Sequence, residues 1–68
     1  MKQYLGVNKM KLVHDGIKVD KHNKNAMLFD FEGNEVWIPR SVIGEYNDVE
    51  VTIKDWFAEE NGLEVYEI

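Results

Sequence analysis

Sixty-eight residues make one small domain, and a domain of this size buries only about 60% of the surface its unfolded chain exposes. With no cysteine there is no disulfide or Cys-based zinc site to staple it, so stability has to come from packing of two Trp, three Phe, three Tyr and the branched aliphatics. A net charge of −5 argues against non-specific nucleic-acid binding, which draws essentially all of its affinity from phosphate neutralisation. The charge is also uneven. Residues 1–25 carry six lysines against Asp15 and Asp20 (+4), and residues 26–68 carry Arg40 and Lys54 against eleven acids (−9). Two arrangements follow: the halves neutralise each other across one body, or they form separate faces for different partners.

Residues 1–8 show no clean period and read as loosely ordered or as an edge. Lys9 to His14 alternates, with Met10, Leu12 and His14 on one face. Asp15-Gly16 is a two-residue turn signal, and Ile17 to Asp20 continues the alternation, which predicts a first, lysine-rich hairpin. Lys21 to Asn25 is polar throughout and reads as a loop; the alternative is one long bent strand from Asp20 to Phe31 with a bulge there. Ala26 to Ile43 is the core-forming unit: two strands rich in Val, Ile, Phe and Trp, turned at Glu32-Gly33-Asn34 and stopped by Pro39, the only proline. Arg40 to Asp48 reads as a loop in which Val42, Ile43 and Tyr46 tuck under the body. Val49 to Ile53 is a clean strand, with Val49, Val51 and Ile53 inward. Lys54 to Asn61 followed by Gly62 predicts a two-turn helix, with Asp55 in its first turn and glycine at its end. Leu63 to Ile68 closes the chain as a last strand. The expected fold is mostly β: a five-stranded SH3-like barrel over residues 1–68 with one short helix before the last strand, or alternatively an OB-like barrel.

The residues that carry chemistry are few. Ser41 is the only serine and Thr52 the only threonine, with no elbow motif to present either as a nucleophile. His14, Asp15, Asp20 and His22 match no established metal-ligand spacing and read as polar-loop residues. The glycines are scattered as turn residues and build no phosphate loop. An enzyme, a metal site and a cofactor are therefore not expected. Binding is. If Val36 and Ile38 fill the core, Trp37 stands on the opposite face near Arg40, a composition that suits an interface hot spot or a base-stacking platform; the reverse places Trp37 in the core. Trp56 and Phe57 are adjacent on the helix, so one is core and the other is free to be exposed.

The segment E-V-W-I-P-R-S-V-I (Glu35–Ile43), a later V-x-V-T-I strand and the block D-W-F-A-E-E-N-G-L (Asp55–Leu63) resemble short proteins of phages and other mobile elements, which share an E-V-W-I-P-K-S pattern and a W-L-A-E-K-x-G-L block. The match covers roughly residues 26–63, and the lysine-rich N-terminal stretch is not part of it. Arg40 replaces the usual Lys, and Lys54 stands where Pro is frequent. The group carries no assigned activity, so no residue role is transferred. The resemblance implies a phage accessory protein made in the bacterial cytoplasm. No signal peptide and no membrane span are expected from the apolar run lengths.

Two functions are expected from these readings. The first is binding of a host or phage protein through Trp37, Arg40, Trp56, Glu50, Glu59 and Glu60, inhibiting a nucleic-acid machine or a defence system, with the acidic face imitating DNA phosphate. The second is binding of single-stranded nucleic acid through Lys9, Lys11, Lys18, Lys21 and Lys24 with Trp37 as the stacking base. Monomer and homodimer are both open, a dimer having a strand edge to bury.

Overall fold

The computed structural model describes residues 8–68. Among these described residues, six strands form two three-stranded antiparallel sheets. They are β1 (Lys9–Val13), β2 (Gly16–Lys18), β3 (Ala26–Phe31), β4 (Asn34–Pro39), β5 (Ile43–Tyr46) and β6 (Glu50–Lys54). A 3-10 turn (Arg40–Val42) joins β4 to β5, helix α1 (Asp55–Glu60) follows β6, and a second 3-10 turn (Leu63–Tyr66) follows the helix. The first sheet is ordered β1-β6-β5 and the second β2-β3-β4. Both bury one face in a single apolar cluster centred on Leu12, Phe29, Phe31, Ile38, Val51 and Ile53. The domain is mostly β with one short helix, as expected. Five strands in one closed barrel are not what the described residues form.

The β3–β4 hairpin follows its sequence. Phe31 pairs with Asn34 across a two-residue turn in which Glu32 and Gly33 take φ of 55° and 92°. Two carboxylates hold that turn: Asp15 Oδ2 accepts the Glu32 N–H and Asp30 Oδ1 accepts the Gly33 N–H, each at 2.7 Å. Alternation sends Met27, Phe29, Phe31 and Ile38 inward, and Pro39 ends the strand opposite Ala26.

The first hairpin does not form. Asp15-Gly16 is a corner, not a turn: the His14 N–H donates to the Val49 carbonyl at 2.9 Å, while the next residue, Asp15, donates to the Asp30 carbonyl at 2.7 Å. One strand therefore crosses from the first sheet to the second without reversing, and the corner shifts its alternation by one residue: Met10, Leu12 and His14 face the shared core before it and Ile17 after it, with Lys18 outward. The long bent strand from Asp20 is also absent. Residues 19–25 are a loop tied internally by the Asp20 and Asn23 side chains, which accept the N–H groups of His22 and Asn25.

Three further corrections concern the second half. Arg40 to Asp48 contains a 3-10 turn and β5; Val42 is buried and Ile43 half-buried, but Tyr46 is exposed. A register shift between Ile43 and Tyr46 breaks the period-2 pattern and hides the strand from its sequence. Val49 is exposed because Asn47 Oδ1 accepts both the Val49 and Glu50 N–H groups, turning the chain before β6 begins. The last strand is replaced by a 3-10 turn: Gly62, at φ 68°, redirects the chain, Leu63 is buried, and only Glu67 bridges to Leu12. Tyr66 stacks on Phe31 with centroids 5.0 Å apart and accepts a hydrogen bond from Asn34 Nδ2 at 3.2 Å. Of residues 1–8, residues 1–7 lie outside the described residues; the Asn8 carbonyl accepts the Asp55 N–H at the start of α1.

Candidate functional site

The outer face of the second sheet follows directly from strand alternation. With Met27, Phe29, Val36 and Ile38 turned toward the core, Leu28, Asp30, Glu35 and Trp37 point away from it. Register aligns Lys18, Leu28 and Trp37 in one row across the three strands, and Gly16, Asp30 and Glu35 in the next. Trp37 is 45% exposed and Leu28 half-buried beside it, so the outward reading of Trp37 is the one the fold adopts. Lys18 Nζ reaches diagonally over β3 to Glu35 Oε2 at 2.9 Å. That hydrogen bond and the carboxylate charge hold the lysine above its ordinary pKa of 10.5. Gly16, Lys18, Leu28, Asp30 and Glu35 border a cleft of about 110 Å³ next to the tryptophan row.

Along the chain from Trp37, β4 ends at Pro39 and Arg40 opens the 3-10 turn. The Arg40 N–H donates to the Asn25 carbonyl at 2.8 Å, tying the strand end to the loop that carries Lys21 and Lys24. Arg40, Lys21 and Lys24 are all exposed. The open end of the hairpin is therefore basic, and its turn end, with Asp15, Asp30, Glu32 and Glu35, is acidic. This polarity along one hairpin is not visible in the half-and-half charge split of the sequence.

The other predicted residues lie elsewhere. Lys9 and Lys11 are on β1, in the first sheet; Lys9 faces Lys54 across the strands and lays its side chain over Gly44, and Lys11 Nζ is 3.9 Å from Glu50 Oε1. The five lysines thus do not share a face, because β1 and β2 belong to different sheets. Both ion pairs among the described residues, Lys11–Glu50 and Lys18–Glu35, join the basic half to the acidic half. Glu59 and Glu60 are exposed on α1, whereas Glu50 begins β6, at the end of that strand remote from the helix. The acids are also divided. Trp56 is 50% exposed and meets Phe57 edge-on at 5.9 Å, while Phe57 packs on the core.

His14 departs from its polar-loop reading. It is buried at 2% exposure, edge-on to Phe29 at 5.1 Å. Its Nε2 lies 2.8 Å from the Asn47 carbonyl, an acceptor only, so Nε2 carries the proton and Nδ1 is left without a partner among the described residues. His14 therefore pins the β5–β6 turn to the sheet corner. The signal was present in the Met10-Leu12-His14 alternation, which placed it on the core face. His22 is exposed, and among the described residues no three His, Cys, Asp or Glu side chains gather as metal ligands.

No helix among the described residues is long and apolar enough to cross a membrane. Comparison with family models, with curated proteins and with solved structures finds nothing that matches this chain.

Proposed function

We propose that this chain is a non-enzymatic binding module that docks a protein partner on the outer face of β2-β3-β4, with Trp37 as the central anchor, Leu28 beside it and Arg40 at the rim. The observation that carries the reading is Trp37 itself, 45% exposed on the outer face of the regular edge strand β4 rather than on a loop. Tryptophan and arginine supply more interface energy per residue than other types, and a tryptophan fixed on a sheet has little rotamer freedom to lose on docking. Trp56 on α1 is a secondary contact. The resemblance of Glu35–Ile43 and Asp55–Leu63 to phage and mobile-element proteins supports a partner in the bacterial cytoplasm, such as a nucleic-acid machine or a defence system that the protein inhibits. The helix before the terminal segment is consistent with an SH3-like architecture.

The test is capture from bacterial lysate with wild type, Trp37→Ala and Trp56→Ala. Loss of the captured partner with Trp37→Ala and its retention with Trp56→Ala supports the reading; equal capture by wild type and Trp37→Ala sinks it. Phosphate mimicry by the acidic residues is tested separately, by replacing Glu50, Glu59, Glu60 and Glu64 with Lys: unchanged capture removes mimicry and leaves the Trp37 face.

A second reading is favoured by one observation, the exposed cations Arg40, Lys21 and Lys24 at the open end of the hairpin, toward which β4 runs from Trp37. There a single strand would stack a base on Trp37 and lay phosphates along the cations. A low-salt titration with a single-stranded oligonucleotide decides it. Saturable binding that salt abolishes, with quenching of Trp37, moves the function to nucleic acid; no quenching retires this reading.

A further inference from the structure

The outer edge of β4 is the second feature of this hairpin, and it is separate from the Trp37 face. The Arg40–Asn25 bond and the Phe31–Asn34 pair fix the phase of the β3–β4 ladder. In an antiparallel pair, residues alternate between bonding the neighbour and pointing away from it. Residues 34, 36, 38 and 40 therefore bond to β3, and Glu35 and Trp37 aim their N–H and C=O groups away from it. Among the described residues no strand pairs with that edge. β2 at the opposite edge has three residues, and β5 is broken by its register shift. β4 runs six regular residues, blunted only at its end by Pro39.

We propose that β4 pairs antiparallel with β4 of a second copy, with Val36 on the twofold axis. In that register the Glu35 N–H donates to the partner's Trp37 carbonyl and the Trp37 N–H to the partner's Glu35 carbonyl; symmetry repeats both, and the four outward groups of Glu35 and Trp37 on each copy are satisfied. Pro39, which has no N–H, falls opposite Gly33, whose own N–H is already taken by Asp30. Charge selects the same arrangement. β4 is flanked by Glu32 in the acidic turn before it and by Arg40 in the 3-10 turn after it, and antiparallel pairing sets Arg40 of each copy opposite Glu32 of the other. Parallel pairing would set like against like. Val36, half-buried at the margin of the core, would meet its symmetry mate and extend the apolar layer. The sheet becomes six-stranded, β2-β3-β4 joined to its copy, and the two Trp37 side chains lie on one continuous face.

Sedimentation velocity over rising protein concentration, with hydrogen exchange, is the test. Wild type should show a dimer fraction that grows with concentration, and the Glu35 and Trp37 amides should gain protection in parallel. Glu35→Pro removes an outward N–H and no internal ladder bond, so it should keep the β-type circular dichroism and stay monomeric. Glu32→Lys should weaken the dimer several-fold, and adding Arg40→Glu to it should restore the dimer; this charge swap keeps the test valid if the proline variant fails to fold. A wild type that is monomeric throughout, or a dimer indifferent to Glu35→Pro and Glu32→Lys, overturns the proposal. A monomer that still loses its captured partner on Trp37→Ala would overturn the dimer and leave the docking reading standing.

Discussion

The two sheets share one core but treat solvent differently. The first sheet is closed off: the C-terminal segment covers the free side of β1 through the Glu67–Leu12 bridge and the Ile68 N–H to the Lys11 carbonyl, and β5 is interrupted by its register shift. Its outer face carries Lys9, Lys11, Glu50, Thr52 and Lys54, charges that spend themselves partly on each other. The second sheet leaves a regular six-residue edge and sets a tryptophan on the outer face of that edge strand. A small protein has little surface to leave apolar, because its core is marginal and every exposed aromatic is one not buried. An asymmetry of this kind assigns stability to one sheet and recognition to the other, and it can be broken by mutation.

The largest effect belongs to the core that the sheets share. Phe29 is fully buried and meets His14, Phe31 and Tyr46 within 6.5 Å, so Phe29→Ala should cost about 3 to 5 kcal/mol. Against a total of about 3 to 10 kcal/mol for a chain of this length, most molecules would be at or near unfolding, which urea denaturation followed by circular dichroism would register. His14→Ala, at the corner where the chain changes sheets, should cost about 2 to 3 kcal/mol in the same assay through lost packing and the lost bond to Asn47. Indifference to either change would mean that the two sheets do not depend on one another.

Trp37→Ala separates recognition from stability most sharply. Folding should change by no more than about 0.5 kcal/mol, the usual range for an exposed position, while a bound partner should be lost by about 2 kcal/mol or more, read by calorimetry or anisotropy. Gly33→Ala touches only the hairpin turn. At φ 92° a Cβ is strained although nothing crowds it, so stability should fall by about 1 to 2 kcal/mol with the outer face intact.

The smallest effect is electrostatic. Lys18 has its folded-state pKa raised by Glu35, so the stability it contributes is fully present below the ordinary lysine value of 10.5 and is lost as pH rises through the raised value. Both partners are exposed, and the loss should be slight. Glu35→Gln should flatten the alkaline limb of thermal melts above pH 10.5 without moving the neutral-pH melting temperature appreciably.

What could be read in the sequence divides along the same line. The β3–β4 hairpin was legible because its signals are local: alternation, a turn with Gly33, and a terminating proline. Helix α1 was legible from Asp55 at its start and Gly62 beyond its end, and the outward Trp37 was one of two readings that alternation allowed. The misread elements are held by distant partners. The corner at His14-Asp15 depends on Val49 and Asp30, β5 on a shifted register with β6, and the terminal turn on Tyr66 stacking over Phe31. The lysines looked like one face because they are close in sequence, and they part because the strand carrying them changes sheets. The basic open end of the hairpin was illegible for the same reason, because it takes the Arg40 N–H to the Asn25 carbonyl to bring Arg40 to the Lys21–Asn25 loop.

The most direct measurement uses Trp56→Phe, which leaves Trp37 as the only tryptophan, and follows its emission as a partner captured from lysate is added back. Docking on the sheet face predicts a shift to shorter wavelength and shielding from acrylamide, saturating with binding measured independently by anisotropy. Emission that stays unchanged while binding saturates would place the contact elsewhere and contradict the account.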